Sequence, residues 1–352
     1  MPHHIAITSA DGQTGHLVAE LLLSPGFASK LAGPLTCLSY NPEKTKDLEQ
    51  AGAVVVPMPS TAAAADSKTK SATAAAAKKA HTALVTSLKD GKVDTLMLIP
   101  PAREAKVALT KQLVEAAKDA GVQNVLLLSA AGCDFADPKE QPILRSFIEI
   151  ERMVMESKGD ADVPLGHSPC ILRAGLYAET LLLLAKRAQA DGALRLPMGP
   201  THKCAPVALG DVALCAATVL TGEGKMGFHD DHRGQLITLT GPILTAGDEL
   251  VEAMKEAIGV ELKFEDIKPE EAKKMLTKNS DVDPSEIEYL LEIFALARKG
   301  FLNYVSTTAF IALAGQKPQE LTEFFKTYSD EFSRKRRKTT TATGKADDSN
   351  EE

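Results

Sequence analysis

The residues from Ser9 to Gly15 have the types and spacing of a phosphate-binding turn. The apolar run before them predicts a strand, and the apolar residues at helical spacing after them predict an amphipathic helix. Unpaired amides at such a helix N-terminus attract negative charge, so a dinucleotide pyrophosphate is the expected ligand. Gly12 and Gly15 match the last two glycines of G-x-x-G-x-x-G, whereas Ser9 takes the first position. A plain strand-to-helix turn is the alternative interpretation.

Reduction of a carbonyl by hydride needs a proton donor for the alkoxide, often a Tyr with a Lys four residues later. Tyr40 and Lys44 have that spacing, but they follow the second predicted strand, where the adenosine end of a dinucleotide is expected. The helix after Ser129 contains no such pair, so we expect the Tyr-x-x-x-Lys dyad to be absent. The substitutes, each more often a surface or packing residue, are Tyr177, Lys139, His202 and Lys203.

The cysteines and histidines form no motif specific for a metal or redox centre. The five cysteines are scattered without a C-x-x-C pair, which predicts reduced thiols in a cytosolic setting. Cys133 lacks a basic neighbour, so an inert thiol is favoured over a redox sensor. The His-Asp-Asp-His run at 229–232 is interpreted as a solvated turn, because adjacent loop residues seldom converge on one ion. No metal site is expected.

Composition and charge limit the partners. A chain of 352 residues with 44% hydrophobic and 25% charged residues can form a soluble domain with a sizeable core. The net charge of −7 argues against a dedicated nucleic-acid surface. No apolar run reaches the roughly 18 residues that a membrane span needs, and no basic leader of a signal peptide precedes Ile5. We expect a cytoplasmic protein with a small-molecule substrate and no nucleic-acid or membrane partner.

Two segments interrupt the globular pattern. Residues 59–80 carry two alanine tracts around a short polar stretch, and they are interpreted as a low-complexity insertion, either a helix extension or a mobile loop. Residues 334–352 are expected to be a disordered tail, which opens with Arg-Lys-Arg-Arg-Lys at 334–338. This basic run is interpreted as solubilising, and a nuclear address is the alternative.

The elements between these segments predict an α/β fold. Strands that are apolar throughout alternate with amphipathic helices up to residue 175, which is typical of a Rossmann-type doubly wound parallel sheet covered on both faces. Residues 176–330 are mostly helical by pattern and are expected to bind the substrate, while 206–241 return to the core. Asp211 is expected to cap the helix that it begins. Ligands of such a sheet bind at the carboxyl ends of its strands.

An ordered set of motifs resembles the NmrA-like family of atypical short-chain dehydrogenases/reductases. Residues 8–22 resemble the family's T-G-A-T-G-x-x-G turn with its helix, and 39–44 resemble R-N-P-x-K. The segment Leu98-Ile99-Pro100-Pro101 matches as well, and so does Ala-Ala-Lys-Asp-Ala-Gly-Val at 116–122 before the strand that ends in Ser129. Residues 172–179 resemble L-R-P-G-x-F-M-E-N, and 239–242 open the final unit. Each motif is weak alone, but their order along residues 5–265 is specific.

This resemblance implies a Rossmann domain that binds NADP and a smaller part that closes over the substrate. The implied cofactor-binding residues are Ser9, Asp11, Gly12, Gln13, Thr14, Gly15, Tyr40, Asn41, Lys44, Pro100, Pro101 and Ser129. Ser129 takes the position of the catalytic or substrate-orienting serine. The loop that ends in Tyr177 lines the substrate pocket, and Tyr177 is the second candidate catalytic residue.

Three departures from the family pattern affect cofactor choice. Ser9 replaces a glycine, and Asp11 replaces the usual Thr, which should weaken pyrophosphate binding unless its carboxylate caps the turn. Tyr40 replaces the Arg that pairs with the 2′-phosphate, although its ring could stack on adenine. The lack of an acidic residue at the end of the second strand favours NADP, with Lys44 or Lys46 as the partner of its 2′-phosphate, but NAD remains an alternative.

Two functions are compatible with these residues. The first is an NAD(P)H-dependent oxidoreductase that reduces a small apolar carbonyl, enone or quinone, in which the cofactor supplies the chemistry. The second is a non-catalytic NAD(P)-sensing regulatory protein that binds protein partners. The missing dyad and the altered glycine turn support the second function.

Overall fold

The computed structural model describes residues 2–58, 70–156, 168–224, 227–280 and 282–332. The first part of the alanine-rich insertion, 59–69, and the basic tail, 334–352, lie outside the described residues. The remainder of the insertion belongs to the helix Lys70–Asp90. Within the described ranges, no helix combines the length and the apolar character needed to cross a membrane.

A seven-stranded parallel sheet forms the centre of the molecule. In chain order the strands of the described residues are β1 (Ile5–Ile7), β2 (Thr36–Ser39), β3 (Val54–Pro57), β4 (Thr95–Leu98), β5 (Asn124–Ala130), β6 (Ser168–Ala174), β7 (Ala193–Leu196), β8 (Leu236–Leu239) and β9 (Lys263–Asp266). Strands β7 and β9 form a separate small sheet. The seven-stranded sheet has the order β3-β2-β1-β4-β5-β6-β8, and every pair in it is parallel. The strand order reverses between β1 and β4, which is where doubly wound sheets bind ligands. The predicted Rossmann-type fold is confirmed.

The helices cover both faces of this sheet. They are α1 (Gln13–Leu23), α2 (Pro25–Ala28), α3 (Lys46–Gln50), α4 (Lys70–Asp90), α5 (Lys106–Ala120), α6 (Pro142–Glu156), α7 (Leu182–Asp191), α8 (Leu209–Leu220), α9 (Gly247–Ile258), α10 (Pro269–Asn279), α11 (Pro284–Arg298), α12 (Thr307–Ala314), α13 (Leu321–Thr327) and α14 (Ser329–Phe332). Helices α1, α8 and α12 pack on one face, and α4, α5 and α6 pack on the other. Strands β4 and β5 are buried along their whole length between these layers. Their continuous apolar sequence follows from that double coverage.

The C-terminal part has its own core and a small sheet that the sequence pattern did not predict. Strands β7 and β9 pair in parallel, and α7, α9, α10, α11, α13 and α14 bury apolar residues in one cluster. Residues of β9 are mostly exposed and charged, so the alternation that marks a half-buried strand is missing. The Arg195 guanidinium on β7 lies 2.6 Å from the Glu265 carboxylate on β9.

One predicted helix cap is wrong. Helix α8 begins two residues before Asp211, and Ala208 occupies the N-cap. The Asp211 carboxylate instead accepts a hydrogen bond of 2.7 Å from the Gln319 backbone N–H. The side chain therefore ties α8 to the segment before α13, a long-range partner that local sequence does not reveal.

Candidate functional site

The turn between β1 and α1 has the predicted tight geometry. Ser9 adopts a φ of 52°, in the left-handed region that a glycine enters without cost and other residues rarely occupy. The Thr8 and Ser9 hydroxyls both donate to the Ile99 carbonyl, each at 3.0 Å. These two bonds hold the turn against the end of β4 and explain how a serine is kept in the position of the first glycine.

The two glycines allow α1 to approach this turn closely. A Cβ at Gly15 would lie 2.4 Å from the Ser9 carbonyl oxygen, and one at Gly12 would lie 3.3 Å from the same atom. The amides of Gln13, Thr14 and Gly15 belong to the first helical turn and have no intrahelical acceptor. That turn contains no acidic residue. The positive end of α1 is thus available to an anionic ligand.

Asp11 joins the turn to β2 rather than projecting a free carboxylate. Its Oδ1 accepts a hydrogen bond of 3.1 Å from the Tyr40 backbone N–H. This bond does not cap the turn, because no side chain of the described residues caps the N-terminus of α1. The Arg103 guanidinium carbon lies 4.2 Å from the centre of the Tyr40 ring, and burial raises the pKa of Tyr40 to about 12. Arg103 was not predicted. It brings a cation from the segment after β4 to the residue where the family places an arginine.

One cavity of about 370 Å³ extends from this turn into an apolar chamber. The predicted site residues that line it are Ser9, Asp11, Gly12, Gln13, Thr14, Gly15, Lys44, Pro100, Ser129 and Tyr177. Tyr40, Asn41 and Pro101 are not part of its lining. Tyr40 is nevertheless bonded to Asp11 at the rim. The chamber beyond the turn is formed by Phe147, Leu176, Leu183, Val282, Tyr289 and Leu290.

Ser129 lies at the carboxyl end of β5, as predicted, but its hydroxyl is engaged. It donates a 2.6 Å hydrogen bond to Glu151 Oε1. The same buried carboxylate accepts from Nε and Nη2 of Arg173, both at 2.8 Å, and this pairing raises the pKa of Arg173. Arg173 also reaches Asp134, at 2.8 Å. Ser129 is therefore held in one orientation by an ion pair that links α6 to β6.

Tyr177 presents an unsatisfied hydroxyl in the cavity. Its oxygen is buried and makes no hydrogen bond of good geometry among the described residues. Burial raises its pKa, and the neighbouring Thr14 side chain opposes that shift. A buried hydroxyl without a partner is costly, so a polar ligand atom is the natural partner. Of the four substitute donors, Tyr177 is the member that lines the cavity. Lys139 is exposed, Lys203 is paired with Glu249 at 2.7 Å, and His202 is not in the lining.

Three titratable residues of the chamber were missed by the sequence analysis. The side chain of Lys106 on α5 is buried, and its Nζ lies 4.3 Å from the centre of the Phe147 ring. Burial lowers the pKa of Lys106. Burial also raises the pKa values of Glu286 and Tyr289, which come from α11. The helical spacing of Lys106 with Leu109 and Leu113 could have indicated its burial. The contacts with α11 could not be predicted, because that helix is distant in sequence.

Among the thiols, Cys133 donates a weak hydrogen bond of 3.6 Å to Glu151 Oε1, the atom that also accepts from Ser129. All five cysteines are unpaired and buried, and burial raises the pKa of Cys133 to about 12. In the described part of the chain, His16, Glu20 and Asp47 form one group whose ligand atoms approach each other closely enough for a metal. This group is largely exposed, and the His16 ring already lies 2.7 Å from Asp47. His229 and His232 approach each other in the 229–232 loop, at 5.6 Å between ring centres.

Comparison with known proteins identifies similar folds and sequences. The model of the NmrA-like family matches residues 1–330. The chain is 26% identical over 242 residues to the NAD(P)H azoreductase of Xenophilus azovorans, which covers 69% of this chain and 78% of that protein. The NADPH complex of an Escherichia coli NADPH-dependent quinone oxidoreductase superposes with a TM-score of 0.71 at 23% identity, over 92% of this chain and 99% of the other.

A regulator has the same architecture. The structure of NmrA, a negative transcriptional regulator in complex with NADP, superposes with a TM-score of 0.67 at 14% identity, over 92% of this chain and 94% of the other. At such identities the two solved structures establish a shared fold, and the chemistry must be argued from the residues of the cavity.

Proposed function

Because the chain belongs to the NmrA-like family, we propose that it is an NAD(P)H-dependent oxidoreductase that reduces a small apolar carbonyl, enone or quinone. The observation that carries this proposal is one continuous cavity, which joins the α1 turn to an apolar chamber. A dinucleotide held at the turn would extend toward the chamber, where a substrate would meet it. The similarity to an NAD(P)H azoreductase and to an NADPH-dependent quinone oxidoreductase supports the same class of reaction.

The residues at the turn fit a nicotinamide dinucleotide. The free amides of Gln13, Thr14 and Gly15 would bind the pyrophosphate, with the positive end of α1 behind them. Lys44 and Arg103 are cations near the end of β2, and that strand ends without an acidic side chain. This arrangement favours NADP, because a 2′-phosphate needs a basic partner and an NAD ribose usually meets a carboxylate. NAD remains the alternative cofactor.

The protein's own groups have defined tasks in this reaction. The cofactor supplies the hydride when bound. The apolar side chains of the chamber, which include Phe147 and Leu290, exclude water and orient an apolar substrate. Ser129 and Tyr177 are candidate contacts of the substrate oxygen. Ser129 is positioned by Glu151 and can still accept a hydrogen bond, while Tyr177 has a free hydroxyl. The reaction on this proposal proceeds without a Tyr-x-x-x-Lys dyad.

We extend the proposal to the division of the chain. Residues 1–175 would bind the cofactor, with 206–241 returning to the core, and the rest of 176–330 would bind the substrate. Strand β8 pairs with β6 in the main sheet, and α11 contributes Glu286 and Tyr289 to the chamber, which supports this division. A cytoplasmic location, with nuclear entry through 334–338 as the alternative, stays a prediction.

The proposed function is tested by binding and turnover together. Titration of NADPH and NADH, followed by fluorescence or calorimetry, should give tight binding of NADPH. Oxidation of NADPH at 340 nm with a panel of quinones, enones and small carbonyls should show turnover with at least one class. Binding without turnover across the panel would favour the non-catalytic NAD(P) sensor with protein partners. Absence of binding of either nucleotide at millimolar concentration would contradict both functions.

A further inference from the structure

Lys106 is a buried cation in the substrate chamber with no anionic partner in contact. Its side chain is 6% exposed, and it lines the cavity. The Nζ lies 4.3 Å from the centre of the Phe147 ring and 5.2 Å from that of Tyr289. Within the described ranges, no carboxylate lies within 4 Å of it. The aromatic faces stabilise the ammonium only partly, because a cation–π contact provides no hydrogen-bond acceptor for its N–H groups.

The acidic groups that face Lys106 do not neutralise it directly. Glu292 and Glu286, both on α11, act on it through space. The Glu292 carboxylate is committed to α6, where it accepts from the backbone N–H groups of Ile143 and Leu144 at 3.2 and 2.7 Å. Glu286 lines the cavity, and burial favours its neutral form by raising its pKa. The ammonium is left with hydrogens that a ligand atom can accept.

The Tyr177 hydroxyl is a second unpartnered donor in the same cavity. It comes from the segment after β6, whereas Lys106 comes from the start of α5. Lys106, Tyr177 and Glu286 all line this one cavity, and the Glu286 carboxylate acts on the pKa values of both other side chains. Two buried donors without acceptors, converging from different elements, describe a site for an oxygen that becomes negatively charged.

We propose that Lys106 is the proton donor of the reduction and that the Tyr177 hydroxyl holds the same substrate oxygen. This inference rests on the proposed oxidoreductase function. As hydride forms the new bond at the substrate, the electron pair of the reduced double bond moves to the oxygen. An Nζ–H bond of Lys106 breaks and an O–H bond forms, so that the substrate is reduced by two electrons and the cofactor is oxidised. The neutral amine of Lys106 then recovers a proton from solvent.

The chamber indicates the substrate class. Its walls are the rings of Phe147 and Tyr289 together with aliphatic side chains. Thr180 and Glu179 add to the polar groups described above, and the Glu179 carboxylate accepts a hydrogen bond from the Leu209 backbone N–H. A flat conjugated ring that carries a carbonyl oxygen matches both features, because aromatic walls favour stacked rings and the donors meet the oxygen. A quinone satisfies these requirements better than an aliphatic aldehyde, which offers no ring to the walls.

Turnover should depend on pH through Lys106. Burial lowers the pKa of this ammonium, and the facing carboxylates Glu286 and Glu292 oppose that shift. The protonated donor is lost as pH rises through the lowered pKa, so kcat should fall on the alkaline side earlier than an ordinary lysine would dictate. Lys106→Arg keeps a cation of higher pKa, and it should remove this alkaline decline while lowering kcat, because a guanidinium is a poor proton donor.

The test compares Lys106→Met with Lys111→Met, a change at an exposed lysine of the same helix that reaches Glu115. Lys106→Met should lower kcat for a quinone by about 100-fold or more, with NADPH affinity within about twofold of wild type. Its thermal midpoint should be unchanged or higher, since an apolar side chain replaces a buried unpaired charge. Lys111→Met should leave all three quantities unchanged, and Tyr177→Phe should lower kcat by about tenfold.

Different results would overturn the proposed oxidoreductase function and the proposed role of Lys106. A wild-type protein that binds NADPH but reduces no quinone or other member of the panel overturns the proposed function, and the role of Lys106 with it. A wild-type protein that turns over while Lys106→Met keeps its kcat and its pH profile overturns the role of Lys106 alone. A fall in the thermal midpoint that parallels the loss of kcat would assign Lys106 a purely structural role.

Discussion

Glu151 and Arg173 form a two-point ion pair inside the molecule, with both hydrogen bonds at 2.8 Å. Helix α6 carries the acid and β6 carries the base, so the pair fastens a helix to the central sheet beside the cavity. Glu151 also receives the Ser129 hydroxyl. The orientation of a candidate substrate contact therefore depends on a structural ion pair.

Glu151→Gln should destabilise the fold by about 3 kcal/mol, because it leaves the buried Arg173 charge with only its Asp134 partner. Urea unfolding measures the loss. The control is Glu156→Gln, which breaks an exposed pair with Arg152 on the same helix and should cost about 1 kcal/mol or less. Equal losses in the free energy of unfolding for the two variants would show that the buried pair stabilises the fold no more than the exposed pair does.

Gly15→Ala should disturb the turn and weaken NADPH binding. The added methyl group would lie 2.4 Å from the Ser9 carbonyl oxygen, and such overpacking costs about 1–3 kcal/mol. Gly210→Ala is the matched control, because a Cβ there meets nothing within 4 Å and alanine stabilises a helix by about 1 kcal/mol relative to glycine. Thermal unfolding and NADPH titration of both variants check the prediction. A Gly15→Ala protein with wild-type affinity would contradict the assignment of the turn.

Arg103→Leu should reduce the preference for NADPH over NADH. A charge-assisted hydrogen bond contributes about 1.5–3 kcal/mol, so the ratio of the two dissociation constants should shift by about tenfold or more. Affinity for NADH should change little, because it lacks the 2′-phosphate. Arg152→Leu, at an exposed arginine of α6, serves as the control. A proportional loss for both nucleotides would show that Arg103 supports the Tyr40 ring without reading the phosphate.

His3 should make stability dependent on pH. Its ring contacts Asp94 at 3.1 Å and the Gly222 carbonyl at 3.0 Å, and the Asp94 hydrogen bond raises the pKa of His3 above its ordinary value. The contribution of protonated His3 to the free energy of unfolding is therefore complete below 6.5, the pKa of histidine in the unfolded chain. It is lost as pH rises through the higher pKa of His3 in the folded protein. Wild type should lose more stability than His3→Gln between about pH 6 and pH 9 in urea unfolding. Parallel pH curves would contradict this assignment.

The sequence was sufficient for the main sheet because each of its buried strands reads as an apolar run between helical patterns. It also located the turn from Ser9 to Gly15 and the strand that ends in Ser129, since these depend on local chemistry. The positive φ of Ser9 could not be predicted, because the hydrogen bond that holds it comes from the end of β4.

The substrate chamber was harder to predict. Helical spacing places Lys106 on the same face of α5 as the buried Leu109 and Leu113. Phe147 and Tyr289 on other helices contact it there. Arg103 likewise stacks on Tyr40, a residue that is distant from it in the sequence. Strand β9 was not predicted, because its residues are mostly charged and exposed. Contacts between distant segments decide which aromatic side chains Lys106 and Arg103 meet, and the sequence pattern does not specify those partners.

Anaerobic oxidation of NADPH at 340 nm, with a quinone as the second substrate, tests the central claim most directly. We expect turnover that saturates with both substrates and that falls by about 100-fold in Lys106→Met while NADPH still binds. Saturable NADPH binding with no turnover on any quinone, enone or carbonyl would contradict the account.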